Sequence, residues 1–187
     1  MAAFPRTRDF LGESALGIFG AGYLGGTIAS CLLRSGFPAS RLRICRRQSS
    51  ETQSRLSEQG ISECVADSNV LTQSCRIILY TVRPQNVNAI APHAVREDAL
   101  IVSFLAGVPL ARLPVRTRQR ARVMPSAPAT ISARNAIAGV FPSDNPVVEE
   151  MLGEMGIQQL AFHPEDDVHA FTEKRKDISL PACEPEP

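Results

Sequence analysis

The chain has 187 residues, of which 44% are hydrophobic and 21% charged, and its formal net charge is +1. This length and composition indicate a globular protein of one ordinary domain, or one domain plus a fragment. The near-neutral charge gives no reason to expect a nucleic-acid partner, and no apolar stretch is long enough to span a membrane. Five cysteines without a C-x-x-C pair favour reduced thiols inside the cell.

The N-terminal residues 1–14 are predicted to be a flexible segment. They contain Arg6 and Arg8 but also Asp9 and Glu13, which makes them a poor mitochondrial presequence. We therefore expect a cytoplasmic rather than a mitochondrial protein, with no membrane partner.

An apolar run at residues 15–19 is followed by Gly20, Gly22 and Gly25 and then by an apolar helical pattern. Strand, tight turn and helix in this order are typical of a dinucleotide-binding site, where a pyrophosphate sits on the helix N-terminus. A Cβ atom at Gly20 or Gly22 would obstruct the pyrophosphate, and Gly25 lets the helix pack against the strand. The alternative is a plain turn between a strand and a helix, since three glycines alone are a weak signal.

The second predicted strand, residues 41–45, ends in Arg46, Arg47 and Ser49, where an NAD site usually has an acidic residue. Guanidinium and hydroxyl groups donate hydrogen bonds to a 2′-phosphate, whereas a carboxylate would repel it. The strand end therefore predicts NADP(H) rather than NAD(H) as cofactor. The alternative is a solvated basic strand end.

Strands and helices continue to alternate along the rest of the chain. Strands are predicted at 61–65, 76–82, 99–104, 120–124, 136–141 and 157–162, and helical segments at 50–59, 69–73, 86–95, 110–113 and 146–155. This alternation predicts an α/β fold with a Rossmann-type, doubly wound and mainly parallel sheet. Ligands of such sheets bind at the carboxyl ends of the strands, where these loops contain Gly, Pro and small polar residues.

Four arginines alternate along one segment, and two histidines flank a run of acids. Arg116, Arg118, Arg120 and Arg122 share one face of an extended segment, which favours a solvated face at the sheet edge over a phosphate-contacting patch. His163 and His169 with the acids between them fit no standard zinc spacing, so we predict no metal site.

Four motifs in order resemble the pyrroline-5-carboxylate reductase family. They are the glycine loop at 19–24, Val-Arg-Pro-Gln at 82–85 for its "VKP" loop, Val-Ser-Phe-Leu-Ala-Gly at 102–107 for "VSxxAG", and Arg-Val-Met-Pro-Ser-Ala-Pro at 122–128 for "RVMPNTP". The resemblance covers residues 16–172 and is nearest to the branch called NADP-dependent oxidoreductase domain-containing proteins. It implies an NADP-binding Rossmann domain over residues 15–172.

The departures from the family pattern concern the substrate side. Arg83 replaces the loop lysine, and Ser126 and Ala127 replace an Asn-Thr pair. After Thr172 the family continues into a helical second domain that binds substrate and forms the dimer. Here residues 173–187 contain both lysines of the chain and end in prolines among acids, which predicts a disordered tail. We therefore expect a truncated form without the homo-oligomer interface, and whether it is an active enzyme stays open.

The resemblance assigns residues to a cofactor site but none to catalysis. Phe19, Gly20, Ala21, Gly22, Tyr23, Leu24 and Gly25 would hold the pyrophosphate. Ser68 would lie near the adenosine, Thr81, Val82, Arg83 and Pro84 would follow the ribose and nicotinamide, and Phe104, Leu105 and Ala106 would complete the pocket. The implied function is an NADP(H)-dependent oxidoreductase that transfers hydride to or from a small imine-type substrate. The alternative is a non-catalytic NADP(H)-binding or regulatory module.

Overall fold

The computed structural model of the protein describes residues 3–45, 50–58, 60–89 and 94–174. The strands are β1 (Ala15–Phe19), β2 (Leu42–Cys45), β3 (Cys75–Tyr80), β4 (Leu100–Ser103), β5 (Gln119–Pro125), β6 (Ala136–Phe141) and β7 (Ile157–Ala161). The α-helices are α1 (Pro5–Leu11), α2 (Tyr23–Arg34), α3 (Ser50–Glu58), α4 (Ser68–Ser74), α5 (Pro128–Ser132), α6 (Pro146–Glu154) and α7 (Asp166–Lys174). Short 3₁₀ helices lie at Ala39–Arg41, Ser62–Cys64, Pro84–Ala89 and Leu110–Arg112.

Within the described residues, seven strands form one sheet in the order β2-β1-β3-β4-β5-β6-β7. The strands β1 to β5 are parallel, whereas β6 is antiparallel to β5 and β7 is parallel to β6. Every residue of β1 and β4 is buried, as expected for parallel strands that are covered on both faces. The prediction of a Rossmann-type, mainly parallel sheet is confirmed.

Two apolar clusters cover the two faces of the sheet. The larger cluster joins side chains of α1, α2, α3, α5 and α6 to one face, with Ile28 and Met151 fully buried. The smaller one joins α4 and the loop after β4 to the other face, with Leu71 and Leu105 fully buried. The carboxyl ends of β1 to β5 therefore form a supported edge between two packed layers.

The N-terminal segment differs from the prediction of a flexible segment, because residues 5–11 form α1. Phe4 and Leu11, at its two ends, are 0% and 1% exposed. The backbone N–H and the hydroxyl of Thr7 both donate to the Glu150 carboxylate on α6, each over 2.7 Å. Apolar burial at both ends and this polar contact between them fix the segment on the body of the domain.

Two predicted elements have another form in the structure. The strand predicted at 61–65 is wrong: Ser62–Cys64 is a 3₁₀ helix, and Val65 makes only an isolated parallel bridge with Ile44. Ile61 and Cys64, three residues apart, are the buried positions, and this spacing suits a helical turn rather than an alternating strand. The helix predicted from Asn86 is a 3₁₀ helix at Pro84–Ala89, and residues 90–93 lie outside the described part.

The last described element runs past the predicted junction at Thr172, because α7 ends at Lys174. Residues 175–187, the rest of the predicted tail, lie outside the described residues.

Candidate functional site

The crevice of the sheet lies where β1 has β2 on one side and β3 on the other. The chain runs from β1 to β2, then crosses to β3, so the loops after β1 and β3 diverge at the carboxyl edge. The Thr81 N–H donates to the Phe19 carbonyl over 3.1 Å, and its hydroxyl donates to the Gly20 carbonyl over 2.6 Å. The N–H groups of Gly20 and Ala21 both donate to the Cys45 carbonyl. These bonds fix the three strand ends around one point.

Two of the three motif glycines are required by close backbone packing. Gly20 has a φ of +116°, and a Cβ there would lie 2.8 Å from the Val82 backbone nitrogen. A Cβ on Gly25 would lie 2.0 Å from the Gly20 carbonyl oxygen, so α2 approaches the turn closer than any other residue would permit. Both glycines therefore shape the turn itself.

Gly22 is different, because a Cβ there would meet no heavy atom within 4 Å. It is the N-cap of the 12-residue helix α2, it supplies no side-chain hydrogen bond to the helix, and the first turn contains no acidic residue. The first N–H groups of a helix have no partner within the helix, and the helix dipole makes this end positive. An open, uncapped helix start at the crevice is suited to hold a phosphate group.

The loops after β3 and β4 reach the same edge. Thr81 is buried and Val82 half-buried, whereas Arg83 and Pro84 are exposed. The Phe104 N–H donates to the Tyr80 carbonyl over 2.9 Å, which ties the loop after β4 to the end of β3. The two loops thus form one wall of the crevice.

Several predicted site residues turn their side chains into the core. Phe19 is 6% exposed, and its ring packs against Tyr80 with ring centroids 5.7 Å apart. Leu105 is fully buried in the smaller cluster, and Phe104 is 4% exposed in the larger one. Tyr23 and Ala106 are exposed. Of the three predicted residues in the loop after β4, Ala106 is the one whose side chain is exposed to solvent.

Ser68 begins α4, beside the end of β2. The Ala66 N–H donates to the Ile44 carbonyl over 2.9 Å, and Asp67 caps the helix by accepting from the Asn69 N–H over 2.8 Å. Ser68 is half-buried. Arg46, Arg47 and Ser49, the predicted 2′-phosphate ligands, lie outside the described residues.

Burial raises the pKa of three titratable groups in the strands β2 and β3. Burial raises the pKa of the Tyr80 phenol above its ordinary value, and burial raises the pKa of the Cys75 thiol to about 11. Burial, together with the Asp67 carboxylate, also raises the pKa of the Cys45 thiol. Cys31, Cys45, Cys64 and Cys75 are free thiols. The raised pKa values favour the neutral forms of Tyr80, Cys75 and Cys45, so these three groups bring no negative charge to the strand ends.

In the loop after β5, the Ser126 hydroxyl makes structural hydrogen bonds. Ser126 is 7% exposed, its hydroxyl lies 2.6 Å from that of Thr130, and it accepts from the Ile137 N–H over 3.0 Å. The hydroxyl therefore joins α5 to the start of β6.

The alternating arginines do not share one environment, so the prediction of a solvated face at the sheet edge is wrong for Arg122. Arg116 and Arg118 are exposed, and Arg120 is half-buried. The Arg122 side chain is only 2% exposed and lies 3.3 Å from the Glu165 carboxylate. The prediction failed because β6 and β7 extend the sheet beyond β5, which is therefore an interior strand.

In the described ranges, no three His, Cys, Asp or Glu residues lie together in a way that could hold a metal ion. No helix in the described part of the chain is both long enough and apolar enough to cross a membrane.

Residues 15–107 match the protein family described as NADP oxidoreductase, coenzyme F420-dependent. This part of the chain is similar to that family. It runs from β1 to the loop after β4 and so contains the glycine turn, both loops of the crevice wall and Ser68. No curated protein sequence matches the chain significantly.

Solved structures with the same fold include pyrroline-5-carboxylate reductases and imine reductases. The Streptococcus pyogenes 1-pyrroline-5-carboxylate reductase is 18% identical, with a TM-score of 0.67 over 85% of this chain and 61% of that one. The Plasmodium falciparum pyrroline carboxylate reductase with NADP bound is 18% identical, with a TM-score of 0.60 over 79% of this chain and 57% of that one. The Aspergillus terreus reductive aminase in complex with NADPH and ethyl levulinate is 18% identical, with a TM-score of 0.66 over 87% and 61%. The chain thus spans about three fifths of the length of these proteins and shares the fold of that part.

Proposed function

We propose that the chain binds NADP(H) in the crevice between the ends of β1 and β3, as the cofactor-binding part of an oxidoreductase acting on carbon–nitrogen double bonds. The observation that carries the proposal is the start of α2, where Gly20 and Gly25 close the turn tightly while Gly22 faces open space. That arrangement leaves uncapped N–H groups accessible to a pyrophosphate. When bound, the cofactor supplies the hydride, and the protein supplies position and electrostatics.

Each part of the crevice has a proposed partner on the cofactor. The start of α2 would hold the pyrophosphate, Ser68 would lie by the adenosine, and Arg46, Arg47 and Ser49 would donate to the 2′-phosphate. Thr81 and the exposed residues after it would follow the ribose towards the nicotinamide, which would lie against the loop after β4. The hydroxyl of Thr81 already donates to Gly20, so its role is to hold the turn in place.

The substrate class rests on the solved structures that share the fold. They are named as reductases of pyrroline carboxylate and of imines, and as reductive aminases. A small imine is therefore the proposed substrate, and Arg83, exposed on the crevice wall, would lie on the nicotinamide side of the site. The chain spans about three fifths of the length of those proteins. Its substrate is therefore proposed from their names and not from a complete substrate site.

The test is a calorimetric titration of the purified chain with NADPH and, in parallel, NADH. Tighter binding of NADPH that is lost in a variant with Arg46→Asp and Arg47→Ala would support both the site and the 2′-phosphate ligands. Binding without reduction of a pyrroline substrate would favour the alternative of a non-catalytic NADP(H)-binding module. Absence of binding by either nucleotide would overturn the proposal.

A further inference from the structure

The peptide groups of Leu110 are held from two sides by charged side chains. The Leu110 N–H donates to the Glu165 carboxylate over 2.8 Å, and its carbonyl accepts from the Arg120 guanidinium over 3.1 Å. Glu165 comes from the segment just before α7, and Arg120 from β5. Elements from two distant parts of the chain therefore meet at the start of the 3₁₀ helix that follows β4.

The buried side chain of Arg122 forms an ion pair with the same Glu165 carboxylate. Its Nη1 lies 3.3 Å from the Glu165 Oε1 that accepts from Leu110, and the two side chains are 2% and 18% exposed. Among the described residues, the buried Nε and Nη2 atoms of Arg122 have no hydrogen-bond partner. Glu165 is thus the described partner of a buried guanidinium, and its position is fixed by that charge.

This contact fixes the far end of the loop that contains Phe104, Leu105 and Ala106. Its near end is tied by the bond from the Phe104 N–H to the Tyr80 carbonyl. Leu105 and Leu110 are both buried, so the exposed turn between them at Ala106 and Gly107 has two fixed ends. The Val108 N–H closes the turn by donating to the Leu105 carbonyl over 3.4 Å, and the contact of Leu110 with Glu165 follows two residues later.

We propose that Glu165 is a positioning residue of the cofactor site: through Leu110 it sets the loop after β4 against the nicotinamide half of NADP(H). The effect on NADP(H) rests on the proposed function. The part that Glu165 holds Leu110 and the loop after β4 does not depend on it. The decisive feature is the acceptor oxygen on Glu165. Arg122 serves to hold that oxygen in place.

The first experiment measures backbone hydrogen exchange in the protein without nucleotide. Two double variants are compared, Arg122→Met with Glu165→Gln and Arg122→Met with Glu165→Ala. Both lack the buried Arg122 guanidinium, and they differ in whether residue 165 has an oxygen that can accept from the Leu110 N–H. The first keeps an amide oxygen for Leu110, and the second keeps none. We expect the Leu110 amide to exchange roughly tenfold or more faster in the second than in the first, since one hydrogen bond is lost. Equal exchange would show that Glu165 does not hold the loop.

The second experiment compares two nucleotides in the same variants. NADPH has the nicotinamide, whereas ADP-ribose 2′-phosphate is the same molecule without it. The alanine variant is expected to bind NADPH roughly tenfold more weakly than the glutamine variant while both bind ADP-ribose 2′-phosphate equally. The nicotinamide fluorescence of bound NADPH is expected to differ between them as well. Asp167→Ala, which removes an exposed carboxylate from α7, is the matched control and is expected to behave as the unmodified protein.

Each outcome decides one of the two proposals. If the unmodified chain binds neither nucleotide, the proposed function fails and hydrogen exchange still decides the role of Glu165. If both nucleotides weaken equally in the alanine variant, Glu165 acts on the fold in general and the inference is overturned. If that variant does not fold, Glu165→Asp replaces it. The shorter side chain withdraws the shared oxygen from both Arg122 and Leu110, but the attraction between the charges persists over a longer distance whereas the hydrogen bond to Leu110 is lost. The same selective loss of NADPH is expected there, and unchanged binding would overturn the inference.

Discussion

Replacing Gly22 with alanine separates cofactor binding from folding. A Cβ at Gly22 meets no heavy atom within 4 Å, and its φ of −68° and ψ of −167° are extended backbone that alanine adopts without strain. Gly22→Ala is therefore expected to leave the fold intact, and to stabilise it by about 0.4–1 kcal/mol through the unfolded state. The added methyl group would occupy the space where the pyrophosphate approaches α2.

The expected loss of affinity follows from the contact that the methyl group displaces. A hydrogen bond to a charged group contributes about 1.5–3 kcal/mol, so losing one weakens binding roughly tenfold to a hundredfold. Calorimetric titration with NADPH measures this directly, and the melting temperature of the same sample reports whether the variant is folded.

Two further glycines serve as matched controls. Gly25→Ala places a Cβ 2.0 Å from the Gly20 carbonyl oxygen, a backbone atom that cannot move freely. Overpacking costs about 1–3 kcal/mol, which corresponds to a fall in melting temperature of about 2–12 °C for a domain of this size. Gly153→Ala on α6 meets no atom within 4 Å and lies outside the crevice, so it should stabilise the helix without changing NADPH affinity. If Gly22→Ala is folded and binds NADPH like the unmodified protein, the pyrophosphate does not lie on α2.

The other predictions concern stability and thiol reactivity. Glu150→Ala leaves the buried Thr7 hydroxyl without its acceptor and should cost about 1–3 kcal/mol in the free energy of unfolding by urea. Burial favours the protonated Glu150 carboxyl, but the hydrogen bonds from Thr7 and Arg6 outweigh it and lower its pKa. A group whose pKa is depressed on folding stabilises the protein above its unfolded pKa and loses that effect as pH falls through the folded value. Urea unfolding between neutral and acid pH should therefore show a flatter pH dependence in Glu150→Gln, and an unchanged slope would contradict the assignment. With a pKa of about 11 and full burial, Cys75 should react with a thiol reagent at pH 8 far more slowly than the partly exposed Cys45, as measured by mass spectrometry; equal rates would contradict its burial.

Local patterns in the sequence were enough to predict the sheet and its glycine turn. Continuous apolar runs marked β1, β3 and β4, and the glycine spacing marked the start of α2, because these features depend on neighbours a few residues away. The motif also predicted why position 25 is glycine, since the missing Cβ lets the helix approach the strand. It did not distinguish Gly20 and Gly25, which are required by packing, from Gly22, which is open.

Long-range contacts account for what sequence reasoning missed. The segment of α1 looked flexible because its partner Glu150 lies 143 residues further along the chain than Thr7. Arg122 looked solvated because the pairing of β6 with β5, which makes β5 an interior strand, has no local signal. Its partner Glu165 is 43 residues away, in the run of acids between His163 and His169.

The most direct test of the central claim is a set of backbone amide chemical shifts recorded with and without NADPH on the isotopically labelled chain. Binding in the crevice predicts the largest shifts at Gly20, Gly22, Tyr23 and the loop after β4, with little change on the far side of α6. A titration that shifts no amide around the start of α2, or that shifts only residues remote from the crevice, would contradict the proposed NADP(H) site.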